Sequence, residues 1–509
     1  MIIVGHKMTT SYRRWFAILP ALLLCPLGFG ESDVTPPELV SLSFSPTQVD
    51  ISLAPQVIWV TARVTDDLSG LGFSAPGLSY SKAGVYVSFM SPSKSAQTGV
   101  SFSLWNLASG DAYDAVLTNA IVLPRYSETG VWSLQGVSLV DSVGNHRSMD
   151  LADLRRQGLP TQFTVTGSGD SEAPNLAELS FTPTTVDASA SNQLVQFTAR
   201  LKDNLSGIIG EPGQPAVAYA QATFASPSKS QHAGVGFRAL DRLSGDVLDG
   251  VYSGTMVLPR FSEPGVWRFE SAAVVDAASN REQVDLPEAL KRGFPTELTV
   301  TGLGDTQPPR VVGFALSATN INPTFEEQSI TVTMRITDDL SGILATPVAP
   351  FYSFGNASFT FASPSKGQYA AAYLNSAMRI SGDELDGTYA VPIALPRYSE
   401  AGVWTLQDIQ LADAAGNQTR LDLSDALALG VATEFVVEQQ PALRITISGG
   451  TVVVSWDLEG ESYQLETSDL GGPSGGWTSL ELAPISLGTG QFVVLPADGG
   501  TRFFRLVRR

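Results

Sequence analysis

Val122 to Asn145 reads VLPRYSETGVWSLQGVSLVDSVGN, and Ala394 to Asn417 reads ALPRYSEAGVWTLQDIQLADAAGN. The two match at 15 of 24 positions. A third version, VLPRFSEPGVWRFESAAVVDAASN, occupies Val257 to Asn280. Other blocks return in the same order. Thr65-Asp66-Asp67-Leu68-Ser69-Gly70 recurs as Lys202-Asp203-Asn204-Leu205-Ser206-Gly207 and as Thr337-Asp338-Asp339-Leu340-Ser341-Gly342. Ser91-Pro92-Ser93-Lys94 recurs at Ser226–Lys229 and Ser363–Lys366. The tryptophans of the three copies, Trp132, Trp267 and Trp404, stand 135 and 137 residues apart. That period is domain-sized, against about 20–50 residues for a solenoid repeat. Each copy therefore needs a core of its own.

Within a copy the pattern is β. Ile58, Val60, Ala62 and Val64 alternate with other residues, as do Val195, Phe197, Ala199 and Leu201, and Ile330, Val332, Met334 and Ile336. Period 2 puts each set on one buried face. The tryptophan segment slips by one residue. Trp132 and Leu134 share a phase, but Val137 and Leu139 share the other. The same slip separates Trp267/Phe269 from Ala272/Val274 and Trp404/Leu406 from Ile409/Leu411. A β-bulge near Gln135-Gly136 is the simplest account, and a short turn between two strands is the other. Asp150–Gly158 predicts a short helix, with Asp150 as N-cap and Gly158 as stop; Asp285–Gly293 and Asp422–Gly430 repeat it.

Boundaries fall in short Gly/Asp/Pro stretches. Thr166 to Asp170 precedes Pro174, and Thr301 to Asp305 precedes Pro308 and Pro309. Copy one begins near Asp33 with Pro36 and Pro37. Linkers this short, stiffened by proline, predict a semi-rigid rod. The fold expected is all-β: three tandem Ig-like β-sandwich domains at 33–170, 171–305 and 306–438, each with a short helix before its last strand, then a smaller C-terminal β-sandwich module at 441–509. In that module Val452–Trp456, Tyr463–Glu466, Phe492–Leu495 and Phe503–Leu506 read as strands between Gly-rich turns.

The copies resemble bacterial immunoglobulin-like and cadherin-like modules of secreted and surface proteins. The resemblance rests on the Trp-x-[Leu/Phe] strand leading to Asp141-x-x-Gly144-Asn145, with Asp413-x-x-Gly416-Asn417 in copy three; copy two departs, with Ser279 where glycine stands. The extra helix, and about 135 residues against about 100 for an ordinary immunoglobulin domain, are further departures. The C-terminal module resembles the small β module that closes many exported bacterial proteins. Its basic end, Arg505, Arg508 and Arg509, leaves open a second reading as a secretion or sorting domain.

Residues 1–30 read as a secretory signal peptide. Lys7, Arg13 and Arg14 form the n-region, Trp15 to Leu24 the apolar core, and Gly28 and Gly30 suit cleavage after Gly30. Met8 would give a more ordinary n-region as the start. The apolar run is shorter than the ~20 residues of a spanning helix. Leu24 before Cys25 is large for lipoprotein processing, which stays the minor reading. Cleavage would remove three positive charges and the sole Cys, taking the net charge from −19 to −22.

With 50 Asp+Glu against 31 Lys+Arg, nothing points to nucleic acid. One Cys excludes a disulfide framework and a Cys-based zinc site, and three His leave little for a His-based triad. His146 and His232 occupy no corresponding positions in the copies. No Gly-x-Ser-x-Gly stands in a strand-to-helix setting. The candidate metal ligands are the recurring acids Asp66, Asp67, Asp141, Asp203, Asp276, Asp338, Asp339 and Asp413. Carboxylates and turn carbonyls converging at one pole of a sandwich would suit Ca2+, which takes about 6–8 hard oxygen ligands. Ordinary turn chemistry is the favoured alternative, since Asp, Asn, Ser and Gly all serve turns. Asp111 with Asp114, repeated as Asp246/Asp249 and Asp383/Asp386, reads as a turn in the same way. Arg125 and Glu128, repeated as Arg260/Glu263 and Arg397/Glu400, read as surface ion pairs. Lys94, Lys229 and Lys366 read as solvated turn lysines, and the three tryptophans as core anchors.

The functional expectation is an exported, non-enzymatic structural or adhesive protein, with a protein or glycan partner at the cell surface or in the matrix. The alternative is an enzyme or carbohydrate-binding accessory protein acting on extracellular polysaccharide, where a glycosidase carboxylate pair would carry the chemistry.

Overall fold

The alternation that predicted strands does build cores: Ile58, Val60, Ala62 and Val64 are buried on one face of their strand while Val57, Trp59 and Arg63 face solvent. The computed structural model describes residues 32–71, 84–102, 104–208, 219–324, 326–343, 356–438, 443–448, 450–457, 463–469, 476–487, 490–497 and 502–508. The expected leader, residues 1–30, lies outside them.

In the first repeat the strands are β1 (Glu38–Ser45), β2 (Gln48–Asp50), β3 (Gln56–Thr65), β4 (Val85–Met90), β5 (Gln97–Phe102), β6 (Leu107–Gly110), β7 (Asp114–Leu123), β8 (Gly130–Val140) and β9 (His146–Asp150). Helix α1 (Leu151–Arg156) and β10 (Gln162–Thr166) complete it. One sheet has the order β1-β3-β7-β6. The other has the order β2-β10-β8-β4-β5, with β9 also on β8. The second and third repeats reproduce both sheets strand for strand. The protein is a β-sandwich repeat protein, nearly all β.

The phase slip is a bulge. β8 runs unbroken through it, and its partners on β4 step from Gly136 opposite Ser88 to Leu134 opposite Phe89, leaving Gln135 as the extra residue. Glu270 and Gln407 are the extra residues of the other repeats. The short turn is therefore excluded. The bulge divides the other edge of β8: β10 pairs with Gly130–Ser133 and β9 with Gly136–Val140. The chain leaves at Asp150, winds one short helix and returns at Gln162. Asp150 caps that helix by accepting from Asp153 N at 2.9 Å. Gly158, at φ +70°, stops it in the left-handed region that suits glycine. Leu154 is driven fully into the core.

Each repeat has its own core. Trp132 lies stacked on Phe163 at 6.0 Å, and its indole N–H donates to Glu128 O at 2.8 Å. Trp267 and Trp404 make the same bond to Glu263 and Glu400, so all three are core anchors.

Residues Asp33–Ile321 and Glu327–Val437 form one compact unit, and its repeats do not form a rod. Asp170, which the sequence bounds leave at the end of the first repeat, takes the place of Asp33 beside Asp203 and Asp276 and so opens the second; it donates its N–H to Tyr126 O of the first at 2.8 Å. Asp305, the last residue of the second sequence bound, likewise opens the third repeat beside Asp338, and donates to Phe261 O of the second at 2.7 Å. Asp33, before β1, donates to Tyr398 O of the third at 2.9 Å. The third repeat thus meets the first by the bond that joins the others, and the three seams close into a cycle. Short linkers constrained consecutive repeats as expected, but they turn the chain back on itself instead of extending it.

A second unit contains Glu438–Arg509. Arg444–Ser448, Thr451–Asp457, Gly490–Pro496 and Ile485–Leu487 make one sheet, and Thr478–Ser479, Tyr463–Ser468 and Phe503–Arg508 the other. Val454, Trp456, Leu465, Val493, Leu495 and Phe504 form its core. The four strands read from the sequence are all present. Among the described residues no helix is long and apolar enough to cross a membrane.

Candidate metal centres

The Asp-Asp-Leu-Ser-Gly block follows β3, and its first acid closes it. Asp66 Oδ1 accepts from Leu68 N at 3.3 Å and Gly70 N at 2.6 Å. The Asp-x-x-Gly-Asn block follows β8. Asp141 Oδ1 accepts from Val143, Gly144 and Asn145 N at 3.0, 2.7 and 2.8 Å, and Oδ2 from Asn145 Nδ2 at 2.6 Å. Leu71 and Asp141 pair as an isolated bridge, which holds the two blocks side by side. Turn chemistry is therefore present as expected, but it does not exhaust the carboxylates.

A third acid enters that the sequence reading left among the linkers. Asp33 Oδ2 accepts from Ser69 N at 2.8 Å, and Oδ1 from Thr35 N at 3.0 Å and Asn145 Nδ2 at 3.2 Å. One carboxylate oxygen each from Asp33, Asp66 and Asp141 come within 4.8 Å of one another, and all three residues are buried. Asp170, Asp203 and Asp276 repeat the cluster. In the third repeat the oxygens within that reach belong to Asp305, Asp338 and Asp339. Asp413 stays fully buried beside them, with Asn417 on both its oxygens. Asp67 stands exposed and outside the first cluster. The signal for the missed acids was an aspartate a few residues before proline in each copy.

Electrostatics follow from burial. Asp141 is pushed up to about 7 by desolvation, with repulsion from Asp33 and Asp66 adding to it and the Asn145 bonds opposing. Burial likewise lifts Asp276 and Asp413 to about 7 and Asp338 to about 6. Asp66 is raised by burial and by the charges of Asp33 and Asp67. Every donor named in the first cluster is a backbone N–H or an asparagine amide, so the hydrogen bonds neutralise no charge. Asp66 Oδ2 is buried with no hydrogen-bond partner, and so are Asp203 Oδ1 and Asp338 Oδ2.

The other repeated motifs serve the architecture. Glu128 is spent on the Ser-Pro-Ser-Lys turn, accepting from Ser93 N at 2.8 Å and Oγ at 2.6 Å. Arg125 lies over the Tyr126 ring at 4.3 Å and donates to Ser52 O. Glu263, Glu400, Arg260 and Arg397 do likewise, so stacking and a turn cap replace the expected ion pair. Tyr126, Phe261 and Tyr398 take φ of +69°, +66° and +72°, the left-handed turn whose carbonyl meets the next repeat. Lys94, Lys229 and Lys366 sit at φ of +68°, +64° and +62° in their turns. Asp111 Oδ1 accepts from Tyr113 and Asp114 N, while Asp114 holds Arg63 through two bonds of 2.8 and 2.7 Å.

No family model and no curated protein matches this chain. Solved structures align with it at low similarity. A Salmonella alpha-2-macroglobulin mutant is 11% identical over 94% of this chain, with a TM-score of 0.14, and the chain spans 28% of its length. A putative membrane-anchored protein from Corynebacterium diphtheriae is 12% identical over 79% of this chain and 92% of its own, with a TM-score of 0.14. The four N-terminal Ig domains of Dscam1 are 8% identical over 93% of this chain and 98% of their own, with a TM-score of 0.15.

Proposed function

We propose that the chain is an exported, non-enzymatic structural or adhesive protein that contacts the cell surface or surrounding matrix through all three repeats. The observation that supports this reading is an exposed apolar side chain in each repeat, on the 3-10 turn or the short strand that follows it. The segment before the Ser-Gly-Asp turn exposes Trp105 (84% exposed) in the first, Leu240 (76%) and Leu243 in the second, and Ile380 (63%) in the third. Three weak contacts on one body add through effective concentration without any new contact type. The recurring Arg, Glu and Ser side chains are engaged in turns and seams, which supports a structural part for them. The leader supplies export.

The test is a pull-down of envelope and extracellular polymer with the cleaved chain, run beside a glycan-binding and hydrolysis screen. Retention that falls stepwise as Trp105, Leu240 and Ile380 are changed to Ser supports the proposal. Turnover of a glycan that vanishes on a single Asp or Glu substitution overturns it in favour of an enzyme.

A further inference from the structure

The geometry points to one divalent hard cation, Ca2+ by the number of carboxylates offered, bound by each aspartate cluster and locking the seam beside it. This is independent of the adhesive reading above. Two observations carry it. The first is convergence: oxygens of Asp33, Asp66 and Asp141 lie within 4.8 Å of one another, as do those of the equivalent Asp170, Asp203 and Asp276, and in the third repeat those of Asp305, Asp338 and Asp339. Ligands around a hard cation at about 2.0–2.6 Å stand no more than roughly 5 Å apart, so one ion can reach all three; Mg2+ ordinarily keeps several waters and takes one or two carboxylates, so a set of three carboxylates favours Ca2+. The second is the orphaned oxygen. Asp66 is only 9% exposed, yet its Oδ2 accepts from nothing, and the matching carboxylates of Asp203 and Asp338 each keep one such atom. A buried charged acceptor without a donor is costly, and the same vacancy of partners recurs in three separately encoded sites.

The link to the seam is a shared residue. Asp33 gives its carboxylate to the cluster of the first repeat while its N–H bonds to Tyr398 O and its carbonyl accepts from Gln368 Nε2, both of the third repeat. Asp305 does the same, with Phe261 O and Gln231 Nε2 of the second repeat. Asp170 has the bond to Tyr126 O, but the glutamine position of the first repeat is Ala96. A cation that holds Asp33 to Asp66 and Asp141 thereby fixes the peptide that closes the cycle. The seam between the first and second repeats, lacking a glutamine, depends on its cation most.

The test uses the whole cleaved chain, stripped with chelator and titrated with CaCl2 by calorimetry, with limited proteolysis before and after. The expected result is three equivalents bound, and cutting near Asp170 that is faster without Ca2+ than cutting near Asp33 or Asp305. Asp33→Asn is expected to reduce binding to two equivalents, with unchanged Trp fluorescence reporting that the cores persist, while Asp111→Asn keeps three. A folded, stripped chain that binds no Ca2+ overturns the proposal, whatever the variants do. So does binding that Asp33→Asn leaves at three equivalents, or binding that leaves cleavage at every seam unchanged.

Discussion

Asp33 N–H donates to the carbonyl oxygen of Tyr398 at 2.9 Å, joining the residue that opens the first repeat to the third repeat. Tyr398 can present that oxygen because its backbone is left-handed, at φ +72°. The Leu-Pro-Arg-aromatic-Ser-Glu motif is thus a seam motif, and its threefold recurrence is what lets three repeats close.

Gln368 is the clasp of that seam. It is fully buried, its Nε2 reaches Asp33 O and Asn145 Oδ1, and its Oε1 accepts from Glu400 N at 2.9 Å. Gln368→Ala strands several buried partners and is expected to cost about 1–3 kcal/mol, read by urea denaturation. The reverse change, Ala96→Gln, supplies the missing clasp of the first seam. It is expected to raise the denaturation midpoint.

The seams were only half legible in the sequence. Periodicity reports which residues share a face, so the three cores, the bulge at Gln135 and the helix capped by Asp150 could all be read from it. It carries no information on which repeat touches which. Proline linkers of a few residues are compatible with a rod and with a closed cycle. The choice lies in the carbonyls of Tyr126, Phe261 and Tyr398, and a backbone oxygen leaves no trace in side-chain pattern. Asp33, Asp170 and Asp305 were missed for a related reason. Beside proline and glycine they read as turn formers, and only the fold brings them to Asp66, Asp203 and Asp338.

Without metal, stability should depend on pH in the direction opposite to a salt-bridged acid. Asp141, Asp276 and Asp413 rise from 3.8 to about 7 in the fold, through burial first and then the neighbouring acids Asp33, Asp66, Asp170, Asp203, Asp305 and Asp338. Between those values the folded chain holds protons that the unfolded chain has released. Stability is therefore fully present below about 4 and is lost as pH rises towards about 7. Melting in chelator at pH 5 and at pH 7.5 should show the higher temperature at pH 5. The opposite order would mean that these acids are ionised in the fold without difficulty.

Trp132→Ala removes an indole that is almost wholly buried and stacked on Phe163. The expected loss is about 3–5 kcal/mol, read by urea denaturation. A sugar-stacking platform would instead lose ligand and keep its stability.

Lys94→Gly relieves a left-handed backbone at φ +68°. An L-residue there costs roughly 1–2 kcal/mol, partly offset by the freedom glycine gains when unfolded. The expected change is a midpoint equal to or above the parent's, with binding to envelope material retained. Loss of that binding would mark Lys94 as a contact residue.

The closed cycle is tested most directly by hydrogen exchange at three amides, followed by NMR on the cleaved chain. Asp170 N–H and Asp305 N–H bond across seams between consecutive repeats, and Asp33 N–H bonds across the seam that closes the cycle. Protection of Asp33 comparable to that of Asp170 and Asp305 is the expected result. Asp33 exchanging as freely as an open chain end, while the other two stay protected, would contradict closure.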